Sequence, residues 1–292
     1  MIKVNNTEVQ FGKFPDGTQM NFDFPSVYDA DGDYKITWLY NNEEEMIQLM
    51  YVVKHLRNSR SSAHIMLEMP YIPNARMDRV HGYGEVFTLK YFCDFINWLN
   101  FDSVVVLDPH SNVSEALINN IRIATPASNI VKVLDDIEGY YIDGGEKYGG
   151  TTVIYFPDDG AMKRYKNLFC FKNHTVIYGK KNRDWDTGRI LGLDIYSEQG
   201  EKLAKKDIEG KIVLMIDDII SYGGTMAYSA DKLNELGAAF VYAYASHTEN
   251  SVLDKEKGTL LKRLEDGGVA ELFTTNSTYS GEHPSITIID KY

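Results

Sequence analysis

The chain has 292 residues, 43% of them hydrophobic and 25% charged, with a formal net charge of −12. That balance fits a folded protein with a sizeable core and argues against a nucleic-acid surface, since no basic stripe with interleaved aromatics is present. No apolar run approaches the ~20 residues of a membrane span and no signal-peptide pattern opens the chain, so a cytoplasmic protein without a membrane partner is expected. The two cysteines, Cys93 and Cys170, lie in amphipathic, helix-like segments and read as reduced core residues.

Strand-like runs alternate with helical patterns along the chain. Tyr34–Tyr40 reads as a strand and Glu43–Arg57 as a helix, with Met46, Leu49, Met50, Val53 and Leu56 on one face. His64–Pro70 is a second strand, followed by a loop over 71–84, a helix over 85–99 and a third strand at Ser103–Asp108. After Gly149-Gly150 the order repeats: strand 151–156, helix 160–171, strand 174–178, strand 211–216, helix 224–236, strand 239–245, helix 251–266 and strand 269–274. Such alternation implies parallel sheets covered by helices. The glycine-rich stretch 138–150 reads as the boundary, dividing the chain into domains 1–140 and 141–292.

The most informative stretch is Ile212–Thr225, an apolar run that ends in Asp217-Asp218 and is followed by Ser221-Tyr222-Gly223-Gly224-Thr225. The run suits a strand buried in a parallel sheet. The glycines let the backbone approach an anion, and the N–H groups that open the next helix hold a phosphate. The two carboxylates accept hydrogen bonds from sugar hydroxyls or hold Mg²⁺. Together they describe a site for a phosphorylated ribose.

Further polar clusters stand at expected strand ends, where active sites of such sheets lie. Arg76 and Arg79, in the loop after Pro70, suit the phosphates and base of a nucleotide; the alternative is an exposed turn with surface ion pairs. Asp108-Pro109-His110 suits a metal or phosphate contact, or an Asx-type helix cap. Asp158 and Asp159 suit a Mg²⁺ or ribose contact, or a helix N-cap. The cationic segment Gly179–Gly188, with Lys180, Lys181 and Arg183, suits a loop over a transferring phosphoryl group, or a solvated hairpin. It is the joint occurrence of these clusters, in this order, that favours the functional readings.

In that order the chain resembles the ribose-phosphate pyrophosphokinases, also called phosphoribosyl-diphosphate synthetases. The resemblance implies an α/β protein with two phosphoribosyltransferase-like domains, each a mostly parallel sheet flanked by helices. It implies transfer of the β,γ-diphosphate of ATP to the anomeric hydroxyl of ribose 5-phosphate, with Mg²⁺ as cofactor and a homo-oligomer, dimer or hexamer. Lys13–Gly17, with Phe14 and Asp16, looks like the family's N-terminal nucleotide segment, which usually serves a neighbouring subunit's site. Arg76 and Asp78 look like its ATP loop, and His110 and Asp158 like its metal-associated positions, with His110 also on the ATP side. Lys180 and Arg183 fall in its catalytic loop, Lys181 being the alternative lysine. Asp217, Asp218, Ser221, Tyr222, Gly223, Gly224 and Thr225 match its ribose-phosphate loop.

The chain also departs from the pattern. It is short at both ends, and Ser221-Tyr222 replaces the usual Asp-Thr pair. Thr18 and Met77 stand where glutamate and glutamine are usual, and Val80–Gly84 replaces a lysine-rich stretch. The large ring in the phosphate loop suggests an acceptor extended beyond its 5-phosphate, such as ADP-ribose, or a tyrosine packed under the turn. The competing classes are a phosphoribosyltransferase, which has no use for the Arg76, His110 and Asp158 clusters, and a non-catalytic synthetase-like subunit.

Overall fold

The computed structural model describes residues 1–20, 32–139, 152–183 and 190–292, without the side chains of 182, 183, 190 and 191. By contacts the chain forms two compact units, Met1–Thr125 with Tyr292, and Pro126–Lys291. The expectation of two mostly parallel sheets flanked by helices is met. Among the described residues, no helix is long and apolar enough to cross a membrane.

The first unit contains β1 (Ile2–Val4), β2 (Thr7–Glu8), β3 (Asp33–Trp38), α1 (Glu44–Ser59), β4 (His64–Glu68), α2 (Thr88–Leu99), β5 (Ser103–Leu107), α3 (Asn112–Leu117) and β6 (Ile121–Ala124). Its sheet runs β2-β1-β3-β4-β5-β6, with β3 to β6 parallel and the small N-terminal strands antiparallel. Ile36, Ile65, Leu67, Val104 and Val106 from the sheet pack with Leu49, Val53 and Leu56 of α1 and Phe92 and Ile96 of α2. Cys93 is buried in this core, which pushes its thiol up to about 12 and keeps it inert.

The second unit contains α4 (Ala127–Gly139), β7 (Val153–Phe156), α5 (Asp159–Tyr165), β8 (Val176–Arg183), β9 (Ile190–Ser197), α6 (Lys205–Ile208), β10 (Ile212–Ile220), α7 (Gly224–Glu235), β11 (Phe240–Thr248), α8 (Thr259–Glu265), β12 (Glu271–Thr275) and β13 (Ile286–Asp290). The sheet order is β13-β12-β11-β10-β7-β8-β9, parallel except for the β8–β9 hairpin. Its two faces carry separate cores. Tyr155, Ile177, Val213, Met215 and Ala243 face Met226, Ala230 and Leu233 of α7 and Leu260 and Leu264 of α8. Ile154, Phe156, Val176, Leu214 and Ile216 face α4 and α5.

Several elements differ from expectation for identifiable reasons. The contact boundary lies at Thr125/Pro126, so α4 belongs to the second unit, because Ile130, Val133, Leu134 and Ile137 pack on that sheet. β10 runs on past both acids, since its neighbour β11 keeps pairing as far as Ile220↔Thr248. The long helix expected over 251–266 is a 3₁₀ turn, Asn250–Leu253, and then α8. It is interrupted at Gly258, where a Cβ would lie 2.4 Å from the Asp254 carbonyl oxygen. The helix expected over 160–171 likewise divides into α5 and a 3₁₀ turn at Phe169–Phe171.

One buried carboxylate joins α1 to the end of β3. Glu45, 8% exposed, accepts hydrogen bonds from Trp38 Nε1 and the Asn41 backbone N–H, both at 2.9 Å. Loss of a buried acceptor strands its donors, at ~1–3 kcal/mol apiece. Glu45→Ala is therefore expected to lower the stability of the first unit by about 2–3 kcal/mol. The check is a denaturant titration, in which the midpoint falls with little change in slope; an unchanged midpoint would contradict the account.

Candidate functional site

Strand periodicity fixes which polar groups of the second unit meet. Side chains alternate between the faces of a strand, so Met215 and Asp217 lie toward α7 while Ile216 and Asp218 lie toward α5. The same rule on β8 puts Ile177, Gly179 and Lys181 toward α7, and Val176, Tyr178 and Lys180 on the other face. Accordingly the Lys181 ammonium donates to Thr225 Oγ1 at 3.1 Å, whereas Lys180 is exposed. Tyr155, on the α7 face, donates to Ser229 Oγ of α7 at 2.9 Å. Its hydroxyl also requires Gly179 beside it, since a Cβ there would lie 2.2 Å away. Arg183 ends β8, its side chain outside the described residues, as is most of the expected catalytic loop beyond it.

Between β10 and α7 the chain makes a tight turn. Gly223 has φ +80°, a conformation that favours glycine, and a Cβ would lie 2.3 Å from the Leu260 Cβ. No side chain among the described residues caps α7, so its first-turn N–H groups form an anion-binding end of the usual kind. The Tyr222 carbonyl accepts from Thr259 N at 3.0 Å and Thr259 Oγ1 at 3.1 Å, tying the loop to α8. Tyr222 is 40% exposed. Ser221 Oγ meets Ser251 Oγ at 3.1 Å, and Ser251 Oγ donates to Glu249 at 3.2 Å.

The acids next to this turn are unequal. Asp218, 5% exposed, pairs with Arg164 of α5 at 3.2 Å. Asp217 is pushed well above the usual carboxylate range, first by burial and then by the neighbouring Asp218, with Asp158 adding to the repulsion. Its Oδ1 accepts from the Asp218 backbone N–H at 3.0 Å. Asp158 takes the helix-cap role, its carboxylate accepting from Ala161 N at 2.9 Å, while the residue itself stays exposed.

In the first unit the loop after β4 and the turn after β5 converge on Asp78. Burial raises the Asp78 carboxyl, but the Arg79 guanidinium at 3.0 Å, the Ser111 hydroxyl and the His110 ring outweigh it, leaving Asp78 below the usual range. His110 thus stands by Asp78. α3 starts at Asn112 with Ser111 at its N-cap position and no cap bond from the Ser111 side chain. Asp108 is buried at φ +40°. Arg76 is exposed in the same loop. Phe14, 48% exposed, and Asp16 sit on a separate turn, where the Asp16 carboxylate accepts from the Thr18 hydroxyl at 2.7 Å and the Thr18 N–H at 3.0 Å. Among the described residues, no group of three or more His, Cys, Asp or Glu could hold a metal.

Arg164, Ser251 and Thr259 were not singled out from the sequence. Arg164 lies inside the Asp158 cluster, where its position six residues after an N-cap was the available signal. The other two gain their roles only when β11 and α8 lie beside the β10 turn.

No protein-family model matches the chain. It is similar to a protein named ribose-phosphate pyrophosphokinase from Sulfurisphaera tokodaii, 26% identical over 292 residues, covering 99% of this chain and 91% of the relative. It is also similar to ribose-phosphate pyrophosphokinase 1 from Listeria innocua, 27% identical over 235 residues, covering 80% of this chain and 66% of the relative. The fold matches the crystal structure of phosphoribosylpyrophosphate synthetase from Mycobacterium smegmatis, with TM-score 0.68 and 20% identity over 96% of this chain and 85% of that one.

The raised Asp217 carboxyl has a stability signature. Its folded value lies above its unfolded one, so the folded state holds the proton more tightly and loses stability as pH rises through the raised value. Asp217→Asn keeps the acceptor for Asp218 N–H and removes this loss. The variant is expected to melt above the wild type at neutral pH and to converge with it toward about pH 4. A melting-temperature difference that does not vary with pH would contradict the assignment.

Proposed function

We propose that this chain, a divergent relative of the ribose-phosphate pyrophosphokinases, transfers the β,γ-diphosphate of ATP to the anomeric hydroxyl of a ribose 5-phosphate moiety and releases AMP. The observation that carries the reading is the Lys181 ammonium at 3.1 Å from Thr225 Oγ1, which brings a cation to the phosphate turn on the Asp217 face of the sheet. The 5-phosphate rests on the Gly223–Thr225 backbone at the start of α7. Asp217 accepts a hydrogen bond from a ribose hydroxyl, and Asp218, paired with Arg164 on the other face of β10, supports it. The anomeric oxygen attacks the β-phosphorus in line and forms the new O–P bond as the bond to the AMP oxygen breaks. A loose, anionic transition state of this kind needs positioning and positive charge more than covalent chemistry.

Lys181 is the nearer source of that charge, and Lys180 and Arg183 belong to the same hairpin. Arg76, Asp78 and His110 receive the nucleotide, with Phe14 and Asp16 on an exposed turn suited to a neighbouring copy in a homo-oligomer. Mg²⁺ takes one or two carboxylates and completes its shell with water and substrate phosphates, so a closed three-residue cage is unnecessary. Asp158 in the second unit is the carboxylate candidate and His110 in the first a separate candidate; an ion held at either would supply charge neutralisation on the diphosphate oxygens.

The acceptor is ribose 5-phosphate or a 5-phosphate-extended ribose such as ADP-ribose, the latter connecting the reaction to NAD-precursor metabolism. The exposed Tyr222 ring supports the extended acceptor. A phosphoribosyltransferase would use the α7 turn but not the Asp78–Arg79–His110 cluster, which favours the diphosphokinase.

AMP release by the purified chain, with Mg²⁺–ATP and each acceptor in turn, tests the reaction. Release with neither acceptor would remove the proposal and leave a phosphoribosyltransferase or a non-catalytic subunit. Lys181→Ala is expected to lower kcat by roughly two orders of magnitude with a smaller change in KM, as for loss of one contact worth ~3–4 kcal/mol in the transition state. Wild-type kcat in that variant, with the loss appearing in Lys180→Ala, would return the role to Lys180.

A further inference from the structure

We infer that Lys257 and Tyr222 form a subsite for the part of the acceptor beyond its 5-phosphate, one that takes a nucleoside-diphosphate ribose. The inference rests on the proposed ribose-phosphate site at the α7 turn and deepens it. Tyr222 has its backbone fixed inward: its carbonyl accepts from Thr259 N, Thr259 Oγ1 and Leu260 N at 3.0, 3.1 and 3.3 Å. Its ring remains 40% exposed beside the phosphate turn. The Lys257 ammonium lies 5.9 Å from the ring centroid, at the outer reach of a cation–π contact.

The segment that carries Lys257 has little freedom. The Asp254 carboxylate accepts from the Glu256 and Lys257 N–H groups, both at 2.9 Å, and the Asp254 carbonyl from Gly258 N at 2.7 Å. Gly258 admits no Cβ, which would lie 2.4 Å from the Asp254 oxygen and 2.6 Å from the Val252 oxygen. Glu249 accepts from Ser251, and the Asp254 carboxylate is engaged by its own turn, with the Lys257 charge adding to its stabilisation. Ser221, which fills the position of a usual family acid, contributes a hydroxyl with no charge.

A simple 5-monophosphate is satisfied by the helix N-terminus and gives neither the ring nor the lysine a function. An esterified phosphate presents a second phosphate for the ammonium and an aromatic base for the phenol ring to stack on. The two side chains are adjacent on a well-held backbone, so they reach both parts of such a ligand.

The test is calorimetric binding of ADP-ribose and, separately, of ribose 5-phosphate to the whole chain. Lys257→Ala is expected to weaken ADP-ribose about tenfold and ribose 5-phosphate less than twofold, and Lys257→Arg to recover most of the loss. Equal weakening of both ligands would overturn the inference, because Lys257 would then serve the 5-phosphate itself. Unchanged ADP-ribose affinity in Lys257→Ala, or a wild type that binds ribose 5-phosphate but not ADP-ribose, would overturn it as well. AMP release followed in parallel keeps the two readings apart: binding that obeys the expected pattern without AMP formation supports the subsite and removes the diphosphate transfer.

Discussion

The second unit's site depends on one constraint, the coverage of its sheet on both faces. A strand between two packed cores cannot rotate or slip by one residue without driving apolar side chains into water and polar ones into the core. β10 is held this way by Val213 and Met215 on one side and Leu214 and Ile216 on the other. Asp217 and Asp218, the next two residues, inherit that register. So does β8 through Val176 and Ile177, which sets Lys181 toward α7. The chemical positions are thus fixed by the packing of residues that take no part in chemistry.

The glycine turn adds a second level of restraint. Gly223 meets Leu260, and Leu260 belongs to the core that covers the α7 face. The loop that would hold an anion therefore rests directly on buried apolar structure. Such backing pre-orders the turn, which reduces the ordering cost of binding there. The carboxyls are held with less comfort. Asp217 sits where burial and two neighbouring acids oppose its charge, a cost carried by the fold for the sake of the site.

Much of this was legible in the amino-acid order, for physical reasons. A nine-residue strand rich in Ile, Val and Leu has few homes other than a doubly covered sheet. Gly223 marks a turn that a residue with a side chain could make only with strain. What local order does not contain is equally specific. Val176 and Ile177 are both buried, so β8 shows no alternation from which to tell Lys180's face from Lys181's. β10 continues past its acids only because β11 is there to pair with it. The glycine-rich stretch 138–150 reads as a boundary in the sequence, whereas the contact units divide at Thr125/Pro126, with α4 packed on the second unit's sheet. The meeting of Asp78, Arg79 and His110 needed β4 and β5 to be neighbours, a fact of topology that local periodicity does not contain.

The hairpin that carries Lys181 has a mechanical property of its own. β7 pairs with β8 only at Val176, Ile177 and Tyr178, whereas β9 pairs with β8 from Ile177 through Arg183. Beyond Tyr178 the strand is half of a two-stranded ribbon, a structure of marginal stability by itself. Such a ribbon costs less free energy to open than strands at the centre of a sheet. The Lys181 ammonium beside the Gly223–Thr225 turn is carried on that one-sided segment.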